Sequence, residues 1–244
     1  MKTDTLRETI YAFNNSDTVA SYDADMDIWH PNRVKMASIV CEILPFDRTE
    51  RVRFLDLGAG TGYLSHKLTE TFPHATIIAV DAAALMIEKA KVRLHNHLER
   101  VTFHVSPFQE LPKKLGTLAP VDAVVSSLAL HHLYREEKLT LIRYVHSLLR
   151  PHGWFVNCDV FKTSDAVLEA RFRRLHHQGY RRERVRSGTR RSPWMKFPQP
   201  CLIKRKKMAT TCCSSWTTFR LLQRPDSARL NVSGRNTGKR YMAE

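Results

Sequence analysis

No stretch of the sequence approaches the ~18–20 consecutive apolar residues of a membrane-spanning helix, so a helical membrane protein is not expected. The opening residues Met1-Lys2-Thr3-Asp4 are not followed by the apolar core of a secretory signal, which points to a cytoplasmic protein. Cysteine is sparse. Cys41, Cys158, Cys201, Cys212 and Cys213 are odd in number and contain no C-x-x-C pair. A disulfide framework or a zinc site is therefore not expected, and no metal is assigned. Acidic residues nearly vanish from the last quarter of the chain. Residues 181–244 hold 3 Asp and Glu against 17 Lys and Arg, whereas residues 1–180 hold 21 against 22. The net charge of +15 thus belongs almost wholly to the tail.

What is present fits one sizeable α/β domain: 244 residues, 43% hydrophobic and 26% charged. Residues 1–48 read as helical, with Leu6, Ile10 and Phe13 on one face. A second helix capped by Asn32 carries Met36, Ile39, Val40, Ile43 and Leu44. Short apolar strands then alternate with helices. The strands are expected at Val52–Leu57, Thr76–Asp81, Val101–Val105, Asp122–Ser126 and Trp154–Cys158. The helices are expected at Tyr63–Phe72, Ala84–Leu98, Glu136–Leu149 and Asp165–His177. Alternation of this kind implies parallel pairing through right-handed crossovers. Continuous apolar strands imply helices on both sheet faces. The expected fold is therefore α/β, a Rossmann-like doubly wound, mostly parallel sheet. Ligands in such sheets bind beyond the carboxyl ends of the strands.

One segment stands out at that end of the first strand: Asp56-Leu57-Gly58-Ala59-Gly60-Thr61-Gly62. Glycines there allow a sharp turn and close approach of a ligand. The following helix adds unpaired N–H groups and the positive end of its dipole. The spacing is G-x-G-x-G, not the G-x-G-x-x-G of a dinucleotide site. Asp56, two positions before the first glycine, can meet the cationic amino end of an amino-acid-like ligand. Asp81 ends the second strand, where a carboxylate can accept ribose hydroxyls or cap the following helix.

Four segments together resemble the class I S-adenosylmethionine-dependent methyltransferases, in particular those acting on small molecules. They are Phe54–Tyr63; Val80-Asp81 with Leu85, Met86 and Ala90; Asp122–Leu133; and Leu148–Trp154. The resemblance implies S-adenosyl-L-methionine as cofactor and a small-molecule acceptor. It places Asp56, Gly58 and Gly60 along the methionine part and counts Ala59, Gly62 and Ala82 among the cofactor-binding residues. Asp81 falls at the ribose, Met86 near the adenine, and Ser127 and Leu128 beneath the sulfonium. Relatives often carry an acidic residue after the third strand, but this chain has Pro107 there, leaving Phe108 to supply a backbone N–H and an apolar wall. Tyr22, Trp29 and His30 fall in a segment that relatives use as a lid with substrate contacts. His131 and His132 read first as packing residues, since adjacent residues do not share a helix face. His131 is the candidate base if the acceptor must lose a proton. Cys158 reads as a buried small hydrophobe, beside Asp159.

Three units follow: a helical cap at 1–48, a cofactor-binding core at 49–180, and a basic tail at 181–244. A complete domain of this class needs two further strands, an antiparallel hairpin at the sheet edge, and no strand pattern is evident beyond Tyr180. The hairpin is therefore expected to be missing or disordered. The tail is open to three readings: a nucleic-acid arm, a disordered charged extension, or translation in a shifted frame. For the third, the last base of each codon is joined to the first two of the next. Trp194-Met195 is then forced to Asp, Met195-Lys196 to Glu, Met208-Ala209 to Gly and Cys212-Cys213 to Leu. From Cys201 onward this phase permits L-D-Q-E-K-E-D-G-D-N-L-L-F-L-V-D-D, and later A-G-F-R-E-V-E-C-F-W-K-E-Y and A-V-Y-G-G. These resemble the ending of this methyltransferase group and put the slip near Tyr180–Arg186. The alternatives to a small-molecule enzyme are an RNA or protein methyltransferase using the basic tail, or a cofactor-binding protein without catalysis. A nucleic-acid partner is not expected if the frame is shifted.

Overall fold

The computed structural model describes residues 10–116, 120–160 and 163–188, and the backbone of 217–223. Helices α1 (Ser16–Trp29) and α2 (Arg33–Ile43) precede strand β1 (Arg53–Leu57). Then follow α3 (Tyr63–Thr71), β2 (Thr76–Asp81), α4 (Ala84–Arg93), β3 (Val101–Val105), the short α5 (Leu111–Lys114) and β4 (Val121–Ser127). The described chain continues with α6 (Arg135–Leu148), β5 (Leu149–Val160), α7 (Ala166–Arg186) and β6 (Thr217–Gln223).

The sheet order is β3-β2-β1-β4-β5-β6, with β1 to β5 parallel and β6 antiparallel to β5. The strand order reverses between β1 and β4, and the crevice of such a sheet lies there. Alternate strand residues serve opposite faces. Phe54, Ile77, Ala79, Val125 and Val156 pack under α2 and α3 with Val40, Leu64, Leu68 and Phe72. Leu55, Leu57, Val80, Val124 and Phe155 pack under α6 with Leu141, Val145 and Leu148. Burial on both faces is the reason these strands read as continuous apolar runs.

Helix α1 begins at Asn15, whose Oδ1 accepts from the N–H groups of Asp17 and Thr18 at 3.0 and 3.1 Å, a side-chain cap. Asn32 stands at the N-cap of α2 as expected, but its side chain makes no capping bond. The turn Pro151-His152-Gly153 is a bulge inside β5, with His152 at φ +61°.

Two corrections concern the end of the chain. Helix α7 does not stop near His177 but runs to Arg186, starting from Asp165, whose carboxylate caps Val167 and Leu168. A strand also exists beyond Tyr180. The run Thr217-Thr218-Phe219-Arg220-Leu221-Leu222-Gln223 pairs along the outer edge of β5, from Val160↔Thr217 to Trp154↔Gln223. Its β-branched and aromatic residues favour extended backbone, and an open edge of β5 would otherwise leave N–H and C=O groups unpaired. The remainder of the tail, on which the expectation about a second hairpin strand falls, lies outside the described residues.

Candidate cofactor cleft and acceptor side

The glycine turn is built by its own backbone. The N–H groups of Gly58 and Ala59 both donate to the Val80 carbonyl at 2.9 Å, and Gly60 N–H donates to Asp81 Oδ2 at 2.8 Å. Gly58 has φ +74°, and a Cβ there would lie 2.3 Å from Ala129 Cβ, so only glycine fits. A Cβ on Gly60 would meet nothing within 4 Å; this open space is the floor of a cleft at the switch point.

One half of the cleft is lined by Asp81, Ala82, Met86, Phe108, Ser127 and Leu128, under a roof of Ile10, Phe13 and Tyr22. Asp81 Oδ1 accepts from Ala83 N–H at 2.9 Å, so this carboxylate both braces the glycine turn and ties down the start of α4. Burial raises its carboxyl above the usual range, opposed by the N–H groups of Ala83, Gly60 and Ala82. Ser106 and Pro107 line the same wall as Phe108.

The other half is lined by Asp56, Ala59, Arg33, Thr61, Tyr63 and again Tyr22 and Leu128. Asp56 is 1% exposed and accepts a 2.6 Å bond from Ser65 Oγ. Burial pushes its carboxyl up to about 7, with nearby Asp81 adding and the Ser65 hydroxyl opposing. Arg33 comes from α2 with its guanidinium 4.0 Å above the Tyr63 ring. Its Nη2 donates to Asp23 at 2.9 Å. Buried Nη1 has no hydrogen-bond partner among the described residues and lies 3.6 Å from Asp27 Oδ1. Asp23 also accepts from Thr61 Oγ1 and Arg93 Nη2 at 2.8 Å each, which pins α1 over the cleft. Burial would raise Asp23, but the bonds from Arg33 and Thr61 and the charges of Arg93 and Arg33 outweigh it and hold the carboxyl below its usual range.

Beyond Leu128 the carboxyl ends of β4 and β5 carry a second cluster. Leu128, at φ +53°, donates its N–H to the Cys158 carbonyl at 2.9 Å. His131 Nδ1 lies 2.6 Å from Asp159 Oδ1, and its ring packs at 4.1 Å and a 45° tilt against His132, which lines the cleft. Facing it is the corner between α1 and α2. There Trp29 stacks on Tyr180 at 5.1 Å, His176 Nε2 lies 2.8 Å from the Trp29 carbonyl, and His30 is 6.3 Å from His176. Burial pushes His30 down to about 3, with His176, His131 and Arg33 adding to the effect. Among the described residues no group of His, Cys, Asp and Glu could hold a metal ion, and no helix could cross a membrane.

A family model described as a methyltransferase domain matches residues 48–190. The chain belongs to the methyltransferase family. An uncharacterized methyltransferase of Oceanobacillus iheyensis is 34% identical over 116 residues, 47% of this chain and 50% of that protein. A malonyl-[acyl-carrier protein] O-methyltransferase of Bacillus cytotoxicus is 41% identical over 66 residues, 27% of this chain and 22% of that protein. The chain therefore matches half or less of the length of these two curated relatives. Among solved structures, the DhpI-SAM-HEP complex aligns with a TM-score of 0.52 at 21% identity, over 71% of this chain and 70% of that one. An O-methyltransferase family protein from Burkholderia thailandensis aligns with a TM-score of 0.51 at 21% identity, over 65% and 47%. The shared fold is that of the class I methyltransferases.

In this methyltransferase the cleft gathers Asp56, Gly58, Ala59, Gly60, Asp81, Ala82, Met86, Phe108, Ser127 and Leu128. Gly62 is not among its lining residues; it starts α3 with φ +76° against Ala90. Tyr22 lines both halves, and burial pushes its phenol up to about 12, so it stays protonated. Trp29 and His30 do not line the cleft and pack toward α7. Arg33, Asp23 and Thr61 escaped sequence reasoning because their partners come from α1, α2, the glycine turn and α4. The one visible signal was a charged residue at the opening of the helix, Arg33 directly after Asn32.

Proposed function

We propose that this chain transfers a methyl group from S-adenosyl-L-methionine to a small-molecule acceptor by in-line displacement. The observation that carries the reading is the charge pattern of the cleft. A buried carboxylate, Asp56, and a buried guanidinium, Arg33, stand at one end, while a carboxylate braced at the strand tip, Asp81, stands at the other. The first pair complements the ammonium and carboxylate of an amino-acid head, and Asp81 complements a ribose. Met86 and Phe108 offer apolar walls to a purine. Nη1 of Arg33, buried and within ion-pair range of Asp27 but without a hydrogen-bond partner among the described residues, is a donor that a ligand carboxylate satisfies, and leaving such a donor without a hydrogen bond costs about 1–3 kcal/mol. The neighbours whose names record S-adenosylmethionine or its product, and the methyltransferase relatives, support the same cofactor.

When bound, this cofactor supplies an electrophilic methyl group on a sulfonium leaving group. The protein's share is placement. Gly58 and Gly60 admit the ligand close to the backbone, Ser127 and Leu128 form the floor toward the acceptor side, and α1 excludes water from above. Holding the reacting atoms in line accounts for much of such catalysis.

Calorimetric titration of the full chain with S-adenosylmethionine tests the reading. Micromolar binding is expected, with a loss of tenfold or more in both Asp81→Ala and Arg33→Met. Absence of binding by the wild-type chain, or binding indifferent to both substitutions, would sink it.

A further inference from the structure

The cation cluster on Asp23 is explained by the docking of α1, and the His30–His176 pair by the docking of α7. The dyad of His131 and Asp159 is required by neither, nor by the cofactor cleft. Resting on the methyl transfer proposed above, we infer that His131 receives the proton of the methyl acceptor, with Asp159 as its positioning residue, and that the acceptor is a neutral hydroxyl, phenol or amine rather than a carboxylate.

Asp159 spends both oxygens on orientation. Oδ1 meets His131 Nδ1 at 2.6 Å and accepts from Val160 N–H at 2.7 Å, while Oδ2 accepts from the backbone N–H of His131 at 2.9 Å. Ring and backbone of residue 131 are thus held by one side chain that is itself 2% exposed. Burial alone would raise the Asp159 carboxyl, but it is held below its usual range by the charge of His131 when that ring is protonated, and by the hydrogen bonds from the His131 ring and from Val160 N–H, which remain when it is neutral. An ionised carboxylate on Nδ1 keeps the imidazole proton there, so Nε2 carries the lone pair. That is the tautomer of a general base oriented by an acid.

The position suits the role. His131 lies three residues past Leu128, at the carboxyl ends of β4 and β5, with its ring against that of His132, which lines the cleft. The titratable groups around it are Asp159 on β5, His132 on its own turn and His30 from the α1–α2 corner, with Arg33 of α2 and His176 of α7 behind His30. A carboxylate acceptor is already anionic near neutral pH. It needs no base and would be repelled by Asp159. A neutral O–H or N–H acceptor must lose its proton. As the new bond to the methyl carbon forms and the carbon–sulfur bond breaks, the sulfur keeps that electron pair and the proton passes to His131 Nε2. The imidazolium is then stabilised by Asp159 and returns the proton to solvent.

Two measurements on the full chain decide the matter, both with S-adenosylhomocysteine binding as the check on folding. Long-range ¹H–¹⁵N imidazole spectra of the S-adenosylhomocysteine complex should show His131 protonated at Nδ1, with a pKa that falls by a unit or more in Asp159→Asn. An Nε2-protonated ring, or a titration unmoved by that substitution, overturns the proposal. A panel of phenol, catechol and benzylamine beside malonate and benzoate, read by mass spectrometry of S-adenosylhomocysteine release, should show turnover of the protic acceptors alone, rising with pH to a plateau. His131→Gln should lower kcat by about 10²-fold or more, abolish the pH-dependent rise and leave KM within a few-fold. Turnover of carboxylates alone, an unchanged profile in His131→Gln, or silence of the whole panel while S-adenosylhomocysteine binds would each overturn it. Failure of the wild-type chain to bind S-adenosylhomocysteine would instead strike the proposed methyl transfer itself.

Discussion

Asp56 is a residue whose chemistry is strongly altered by its surroundings. Its position two residues before the first glycine of the turn was readable from the sequence; the bond from Ser65, nine residues on, was not. With its carboxyl raised to about 7, it is largely protonated in mildly acidic solution. An acid whose folded pKa lies above its unfolded value contributes stability that is present below about pH 4 and is lost as pH rises through about 7. A bound ammonium reverses the preference, because it favours the ionised form. Affinity for S-adenosylmethionine is therefore expected to rise about tenfold between pH 6 and pH 7.5, and Asp56→Asn should flatten that rise. Calorimetry across this range checks it; a wild-type affinity that does not change with pH would remove Asp56 from the ammonium site.

At the scale of elements, α1 and α7 meet through neutral imidazoles. The bond from His176 to the Trp29 carbonyl and the proximity of His30 and His176 join the two helices across 147 residues of sequence. Burial pulls His30 down to about 3 and lowers His176 as well. A histidine whose folded pKa is depressed contributes stability that is full above about pH 6.5 and is lost as pH falls below it, since the unfolded chain binds the proton first. Amide hydrogen exchange in α7 should accelerate on going from pH 8 to pH 5, after correction for intrinsic rates, and His30→Phe should reduce the difference. Equal protection at both pH values would mean that these imidazoles do not govern the docking. Strands β1, β2 and β4 were legible because two-sided burial forces apolar runs, β3 at the exposed edge because its valines and phenylalanine favour extended backbone, and α3 and α4 because they follow such runs at once. The full length of α7 was not legible: most of its residues are exposed, and Arg, His and Glu hide the helical period.

For the molecule as a whole the open question is the sheet edge. Strand β6 lies where this fold closes its sheet, yet it comes from a segment whose other phase spells an acidic helix-and-strand ending. If the tail is frameshifted, a chain restored to the alternate phase from about Tyr180 onward should melt higher by about 5 °C or more, the shift that ~1–2 kcal/mol gives a chain of this size. The coding DNA should then show a one-base deletion against close relatives. An intact matching frame, or a restored chain that melts no higher, would end that reading.

The succession of strands and helices, the glycine turn, the acid at the end of β2 and the family resemblance could be read from the sequence alone, because each is a local pattern of burial or backbone freedom; the order of the strands in the sheet could not. Only the tertiary structure decided what meets across the chain. It set Arg33 of α2 above Tyr63 at the mouth of α3, gathered three cations around Asp23, and placed Asp159 against His131 from the neighbouring strand. Those pairings join residues tens of positions apart, and no spacing rule records them. They arise because parallel strands bring their carboxyl ends to one side and buried charges require partners there.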